Sequence, residues 1–226
     1  SGSALFVCTG ILLLARVFYA KFSSFDVDHE LTEADNPAVG TALFGFLGAM
    51  VIILASLLAT EPYGEQGAEG LALDLGELAA YGLLAILFLK MAGWINDRFI
   101  LHRFENKKEL VDDRNVGAGA VLCGSYLSSG LILAGAFSGR IDDELIADGA
   151  TFIEVMCHEV GIAAAAFFAG QIVLVVFGLV YQAVQSHDVH DAIERDYEAD
   201  GVKHGGNMAA GVAFGGNLTA VGLVLF

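Results

Sequence analysis

The sequence predicts an all-α polytopic membrane protein with about six transmembrane helices, built from three repeated helical hairpins. Of the 226 residues, 56% are hydrophobic and only 17% are charged, and the mean hydropathy is +0.64. The charged residues cluster between long apolar runs, and a membrane-spanning helix needs roughly 20 apolar residues. Each run is expected to be helical, because a helix satisfies its own backbone polar groups in lipid.

The apolar runs follow one another along the chain with polar connections of two kinds. The spans are predicted at 4–20, 37–60, 71–96, 116–137, 152–184 and 208–226. Charged connections occupy 21–36, 97–115 and 185–207, whereas shorter acidic connections occupy 61–70 and 138–151. Nearly all basic residues lie in or beside the charged connections, so these three linkers are expected to face the cytoplasm and both chain ends to face outward.

An Asn-containing turn opens three of the apolar runs, and it is the main repeated feature of the chain. Asn36, Asn115 and Asn207 lie 79 and 92 residues apart. When they are aligned, one glycine follows four residues later and another nine residues later in every copy. The interpretation is a hairpin of descending helix, charged linker, Asn turn and ascending helix, used three times.

The Asn turns are interpreted as helix caps. Polar side chains at such positions satisfy the free N–H groups of a first helical turn, and Pro37 suits the first helical position. The side chains expected to do this are Asp35, Asn36, Asp113, Asn115 and Asn207. Direct binding of a ligand by these turns is the alternative.

Small residues recur inside the ascending helices four residues apart. This spacing lets helix backbones approach closely in lipid, where packing replaces the hydrophobic drive. The residues expected at helix–helix seams are Gly45, Ala49, Gly124, Ser128, Gly211, Gly215, Gly216 and Ala220. A narrow, weakly polar path along the same helices is the alternative.

Polar and ionisable residues inside spans are candidates for an ion path, because a charge in lipid is costly. Glu154 and His158 share one face of the fifth span, and Ser125 and Asn217 lie in the neighbouring ascending helices. Placement of the charged groups near the span ends is the alternative, because long side chains there reach water.

A polar cluster follows the fifth span and is the one candidate metal site. His187, His190 and Glu194 fall on one helical stripe, which could hold a divalent metal. A solvated amphipathic helix is the alternative and the favoured interpretation. No cofactor and no enzymatic activity are expected, because nucleotide-binding and catalytic motifs are missing from the sequence.

The formal net charge of −16 bears on the partners of the chain. Nucleic acid is excluded as a partner, because its recognition needs a basic surface. The acidity is interpreted either as a solvated surface or as a means of attracting cations. The expected partners are the lipid bilayer and other membrane proteins, including further copies of the chain.

Several short motifs occur along most of the chain. They include Leu31-Thr-Glu-Ala-Asp-Asn-Pro-Ala, Trp94-Ile-Asn-Asp, Asp113-Arg-Asn-Val-Gly-Ala-Gly-Ala, Ala192-Ile-Glu-Arg-Asp and Ala209-Ala-Gly-Val-Ala-Phe-Gly-Gly-Asn-Leu. With these motifs the chain resembles the bacterial inner-membrane family called domain of unknown function 350. The resemblance implies a multipass membrane protein with no catalytic residues to carry over, in a family whose members usually carry two such domains in tandem.

The resemblance also suggests a division of the chain. Its parts are a first helix and linker (1–36), a first complete family domain of three transmembrane helices (37–138), a fifth helix and linker (139–206), and the start of a second domain (207–226) that continues beyond the sequence. One departure from the family pattern is the insertion at 197–206, between Glu-Arg-Asp and the last helix.

These observations lead to two functional hypotheses. The leading one is a non-enzymatic integral membrane subunit of an oligomeric or multiprotein cell-envelope complex, with the charged linkers as partner-binding surfaces. The alternative is a channel or transporter for a small cation or a polar solute, because repeated topology is common among transporters.

Overall fold

Six long helices dominate the computed structural model, which describes residues 2–59, 68–103, 105, 107–138, 151–194, 197–199, 202–204 and 206–226. They are α1 (Gly2–Lys21), α3 (Pro37–Ala59), α4 (Ala68–Ile95), α5 (Val116–Phe137), α6 (Phe152–Val184) and α8 (Met208–Leu225). Within the described residues, all six are long and apolar enough to cross a membrane. The all-α fold class is therefore confirmed, with helix bounds within a few residues of the predicted spans.

Short elements connect the long helices on one side of the bundle. Two six-residue helices, α2 (Val27–Thr32) and α7 (Val189–Glu194), precede α3 and α8. The connection between α4 and α5 instead contains two π-helical turns, Asn96–Ile100 and Lys108–Asp112. Most of the predicted connections 61–70 and 138–151 lie outside the described residues.

One feature of the fold was not predicted, a short antiparallel strand pair. Strand β1 (Tyr197–Ala199) pairs with β2 (Val202–His204), and Tyr197 lies opposite His204. The pair lies within 197–206, the segment interpreted from the sequence as an insertion. In sequence, Asp200-Gly201 separates the strands, a pair of residues common in two-residue hairpin turns.

Helix α5 lies at the centre of the bundle. Sixteen of its 22 residues are buried, because α3 packs along one side of it and α8 along another. Helix α4 and the long helix α6 also contact α5, and α1 packs outside α3 and α4. The glycine, alanine and serine residues of α5 make this possible, since they let several backbones approach one helix.

The outer helices expose large apolar side chains. Phe6 in α1 is 82% exposed and Val224 in α8 is 86% exposed, and Ile153, Ile172 and Val184 of α6 are also exposed. A water-soluble protein rarely exposes so much contiguous apolar surface. Together with the six apolar helices, these surfaces indicate a multipass membrane protein whose outer helices face lipid.

Candidate functional site

Asn115 caps α5 from a fully buried position and makes hydrogen bonds with three separate parts of the chain. Its Oδ1 accepts a hydrogen bond from the Ala118 N–H (3.1 Å). Its Nδ2 donates to Glu109 Oε2 (2.7 Å) and to the Ile193 carbonyl of α7 (2.8 Å). One amide therefore caps its own helix, pairs with a carboxylate and holds a segment that lies 78 residues further along the chain.

Asn36 makes a matching set of hydrogen bonds at the start of α3, where it is also buried. Its Oδ1 accepts from the Ala38 N–H (3.0 Å), and its Nδ2 donates to Glu30 Oε2 (2.7 Å) and to the Leu110 carbonyl (2.8 Å). Each buried Asn therefore reaches forward to the segment just before the next Asn-capped helix.

Asn207 caps α8 but lacks the other contacts. Its Oδ1 accepts from the Ala209 and Ala210 N–H groups (3.0 and 3.2 Å). Asn207 is exposed, and its Nδ2 donates to no acceptor among the described residues. The position equivalent to Glu30 is Ala192, when Asp26 is aligned with Asp188, so the carboxylate partner is missing too.

The residue before each capping Asn has a left-handed backbone. The φ angles are 51° at Asp35, 49° at Arg114 and 65° at Gly206. A Cβ at Gly206 would also collide with the Asn115 side chain, so only glycine fits there. These turns direct the chain from the short segment into the long helix.

The two aspartates predicted to act as caps, Asp35 and Asp113, do not cap the helices that follow them. Asp35 forms the left-handed turn instead of capping α3. Asp113 accepts a hydrogen bond from Lys108 Nζ (2.7 Å). The helix N–H groups bind the Asn oxygen in each case, because the left-handed turn places the Asn, and not the preceding residues, at the cap position.

Glu109 is a carboxylate held almost fully inside the protein. Burial raises its pKa, which the hydrogen bond from Asn115 and the nearby Lys108 ammonium partly offset. Its Oε2 accepts from Asn115, while Oε1 lies 3.7 Å from Lys108 Nζ and makes no hydrogen bond within the described part of the chain. In this geometry Glu109 accepts a hydrogen bond from Asn115 and so holds that side chain in place.

Helices α3 and α5 pack through small residues that lie a fixed number of residues after the capping Asn. A Cβ added to Gly119, four residues after Asn115, would lie 2.5 Å from the Ala38 carbonyl oxygen, two residues after Asn36. A Cβ on Gly130 would lie 2.7 Å from Ala49 Cβ. Larger side chains are excluded here, because real carbon atoms do not approach so closely.

Helices α5 and α8 pack through the equivalent positions. Gly211 lies against the Gly117 backbone, and a Cβ on Gly222 would lie 2.5 Å from Ser128 Cα. Between these two contacts, the backbones of Gly124 and Gly215 touch, as those of Gly45 and Cys123 do in the first pair. Of the predicted seam residues, Gly45, Ala49, Gly124, Ser128, Gly211 and Gly215 are buried between helices.

The remaining two predicted seam residues, Gly216 and Ala220, lie on an exposed face of α8. A Cβ added to Gly216 would have no neighbour within 4 Å. Both were expected at a seam, so this part of the prediction does not describe the contacts within the chain. No described helix covers this face of α8.

The residues predicted to form an ion path differ in their burial and in their hydrogen bonds. Glu154 forms a capping box with Thr151 at the start of α6, with Thr151 N–H donating to Glu154 Oε2 (2.8 Å). His158 is exposed, and Asn217 is exposed and donates to the Ala213 carbonyl of its own helix (2.7 Å). Of these four residues, only Ser125 is buried.

The predicted metal residues form no common site among the described residues. His190 Nε2 lies 3.1 Å from the Ile100 carbonyl oxygen and donates to it, and burial lowers the His190 pKa. His187 is exposed beside the neighbouring ion pair of Asp188 with Arg103. Within the ranges that the structure describes, no group of three or more His, Cys, Asp or Glu residues could hold a metal ion, and Glu194 therefore joins no such group.

Two polar contacts were not predicted and connect α6 with the rest of the bundle. Gln171 Nε2 donates to Ser129 Oγ (2.9 Å) inside the bundle. Tyr81 donates its hydroxyl proton to Glu159. No motif marks these pairs, because their partners lie 42 and 78 residues apart in sequence.

The buried glutamates were also missed, although the sequence does contain a signal for them. Glu30 and Glu109 each lie six residues before a capping Asn, and each is followed by leucine. The recurrence of Glu-Leu at this distance from Asn could have identified the pair.

Comparison with known proteins adds one result. A family model described as Domain of Unknown Function (DUF350) matches residues 2–137. The match spans the helices from α1 to α5 and includes both buried Asn sites. No curated protein and no solved structure matches the chain.

Proposed function

Because this chain belongs to the DUF350 family, a group described without an activity, we propose its function from its own geometry. The chain is a non-enzymatic integral membrane subunit of an oligomeric or multiprotein cell-envelope complex. Its role is to pack against other membrane helices through small-residue faces, and to present its charged linkers to partners.

One observation carries this proposal. The small-residue faces of α3 and α5 are buried against the next Asn-capped helix, whereas the equivalent face of α8 is exposed. Small residues offer little side-chain surface to pack against lipid, whereas they let another helix backbone approach closely. An exposed face of this kind is expected on a subunit whose partner is not part of the described fold.

The proposal includes an architecture and a location. The matching contacts at Asn36 and Asn115 support three copies of one structural unit, of which the third has no following neighbour among the described residues. The location is the bacterial inner membrane, with the linkers 21–36, 97–115 and 185–207 in the cytoplasm. The excess of lysine and arginine in these linkers supports that orientation.

Native mass measurement after mild extraction from the membrane tests the proposal. The expected result is a particle heavier than one 23.7 kDa chain with its bound detergent or lipid. A stable particle containing a single chain and no other protein, under conditions that preserve a known membrane complex of the same cells, contradicts the proposal.

A channel or transporter is the second candidate, and two buried polar groups favour it. Both side-chain polar atoms of Asn96 and the Ser125 hydroxyl are buried without a hydrogen-bond partner in the described part of the chain. Such groups need water or an ion to satisfy them. The test measures the flux of a small cation or polar solute into vesicles that contain the protein. A flux that is lower for Ser125→Ala than for the unmodified chain supports this candidate. A flux no greater than that of empty vesicles, for both the unmodified chain and Ser125→Ala, removes it.

A further inference from the structure

We infer that the exposed face of α8 binds one further membrane-spanning helix of the same sequence type. That helix begins at a capping Asn, has glycine four residues later, and has small residues eight and fifteen residues later. The inference rests on the proposed function as a membrane subunit, and it specifies the partner of the exposed face.

The first support is continuity with the two interfaces inside the chain. In the first interface, Ala38, Gly45 and Ala49 of α3 receive α5, and in the second, Gly117, Gly124 and Ser128 of α5 receive α8. These positions lie two, nine and thirteen residues after the capping Asn. In α8 they are Ala209, Gly216 and Ala220, which are equally small and all exposed. A third interface of the same kind therefore has its receiving half in place.

The second support is the unused amide of Asn207. Asn36 and Asn115 each donate an Nδ2 hydrogen bond to a carbonyl just ahead of the next Asn-capped helix, at Leu110 and Ile193. Asn207 has no such acceptor among the described residues, and it borders a pocket of about 690 Å³ that Asp188, Asp191 and Met208 also line. The segment preceding the incoming helix fits this pocket, where one of its carbonyls would accept from Asn207.

A folded second copy of this chain cannot supply the incoming helix in the same geometry. The matching face of a helix is the one that carries the residues four, eight and fifteen positions after the capping Asn. In α5 this face is already buried against α3, and in α8 it is already buried against α5. Helix α3 has a free matching face, but Phe44 and Val51 occupy the positions eight and fifteen residues after Asn36, and they are 67% and 51% exposed. Val51 stands where Gly130 and Gly222 permit backbone contact, so the partner is a different helix of this type.

The exposed face offers a clean test, because one residue can be enlarged without disturbing the chain itself. A Cβ on Gly216 meets nothing within 4 Å, and the same is true of Gly161 in α6. Gly216→Ile therefore blocks the proposed interface, and Gly161→Ile is a matched control that adds the same bulk on a different helix.

The probe is a synthetic peptide of residues 107–138, which has the required pattern in Asn115, Gly119, Cys123 and Gly130 with its matching face uncovered. The full chain in lipid nanodiscs is titrated with this peptide, labelled for energy transfer. Saturable binding is expected for the unmodified chain and for Gly161→Ile. Binding at least about tenfold weaker is expected for Gly216→Ile, and likewise for a peptide with Gly130→Ile.

Three results would overturn the inference. The first is that the peptide does not bind the unmodified chain, and the second is that it binds Gly216→Ile equally well. The third is that the chain associates with itself through Gly216 and that the peptide does not displace this association, because the α8 helices of two copies would then form a symmetric pair. The proposed function is tested separately. A multiprotein particle from native membranes without peptide binding refutes only this inference, whereas peptide binding by a chain that is monomeric in native membranes refutes only the proposed function.

Discussion

Asn115 carries out three tasks that need both halves of a carboxamide. The oxygen accepts from a helix N–H, and the nitrogen donates to Glu109 and to the Ile193 carbonyl. Aspartate would cap the helix but has no donor, and it would place a second negative charge beside Glu109. The same reasoning applies to Asn36 with Glu30, so asparagine is required by chemistry at both buried sites.

Replacing the capping asparagines should therefore have unequal effects. Asn115→Ala removes a cap and leaves the buried Glu109 carboxylate and a carbonyl without their donor, so the free energy of unfolding should fall by about 2–4 kcal/mol. Asn207→Ala removes only the cap and should cost about 0.5–2 kcal/mol. Unfolding in mixed micelles measures both values, and equal losses would show that the buried hydrogen bonds contribute little.

The raised pKa of Glu109 predicts a dependence of stability on pH. The folded protein retains this proton to higher pH than the unfolded chain, so the free energy of unfolding falls as the pH rises from about 4.5 through the raised pKa. Glu109→Gln has no proton to lose and should become more stable relative to the unmodified chain over that window. The measurement is unfolding at several pH values.

An exposed position provides the control for the pH experiment. Glu33→Gln changes a side chain that is 74% exposed, and this variant should retain the pH slope due to Glu109. If Glu109→Gln keeps the full slope as well, the buried carboxyl is not its source.

At the residue scale, the sequence revealed part of the site. The capping role was predictable for Asn36, Asn115 and Asn207, because caps depend on local geometry. The forward hydrogen bonds to Leu110 and Ile193 were not, because they use backbone carbonyls that carry no side-chain signature. The capping box of Glu154 with Thr151 is also a local pattern, but it was not identified from the sequence.

At the element scale, the close approach of α3, α5 and α8 depends on small residues that lie a fixed number of residues after each capping Asn. The helix limits were predictable, since apolar length sets them. Which face of each helix is covered was not predictable, because α5 and α8 each have small residues on two faces. Gly215 and Gly216 are adjacent in sequence, yet the first touches α5 and the second touches no described residue.

This difference between faces gives a direct prediction for the α5–α8 interface. Gly124→Ile should destabilise the chain by about 1–3 kcal/mol or more, because its side chain must displace the Gly215 backbone. Gly216→Ile should change the stability of the isolated chain by less than about 0.5 kcal/mol. Thermal unfolding in detergent measures both, and comparable losses would mean that the two faces are not distinct.

At the scale of the whole molecule, the proposed orientation in the membrane rests on the distribution of basic residues. Ser186 lies in a charged linker, and Ser138 lies at the other end of α5 from Asn115. In a chain without its three native cysteines, Ser186→Cys should react with an impermeant thiol reagent only from the cytoplasmic side, and Ser138→Cys only from the outer side. The opposite pattern of labelling would reverse the proposed topology.

At the same scale, α3, α5 and α8 are three helices that each begin at a capping Asn, and one face of α8 has no neighbour among the described residues. Helix α5 packs against both α3 and α8, whereas α5 is the one described Asn-capped helix that packs against α8, which α6 and α7 also contact. The series predicts where a partner adds, and the left-handed residue before each Asn sets how the chain enters each helix. The partner's identity has no signature in the sequence, because small-residue faces recognise backbone shape.

Site-specific photocrosslinking in intact membranes tests the central claim most directly. A photoreactive amino acid at Ala213, on the exposed face of α8 between Ala209 and Gly216, should give a discrete adduct with another membrane protein segment. The same amino acid at Ile172, which is 65% exposed on α6, should react only with lipid. Protein adducts of equal yield from both positions, or none from Ala213, would contradict the claim that α8 binds a partner helix.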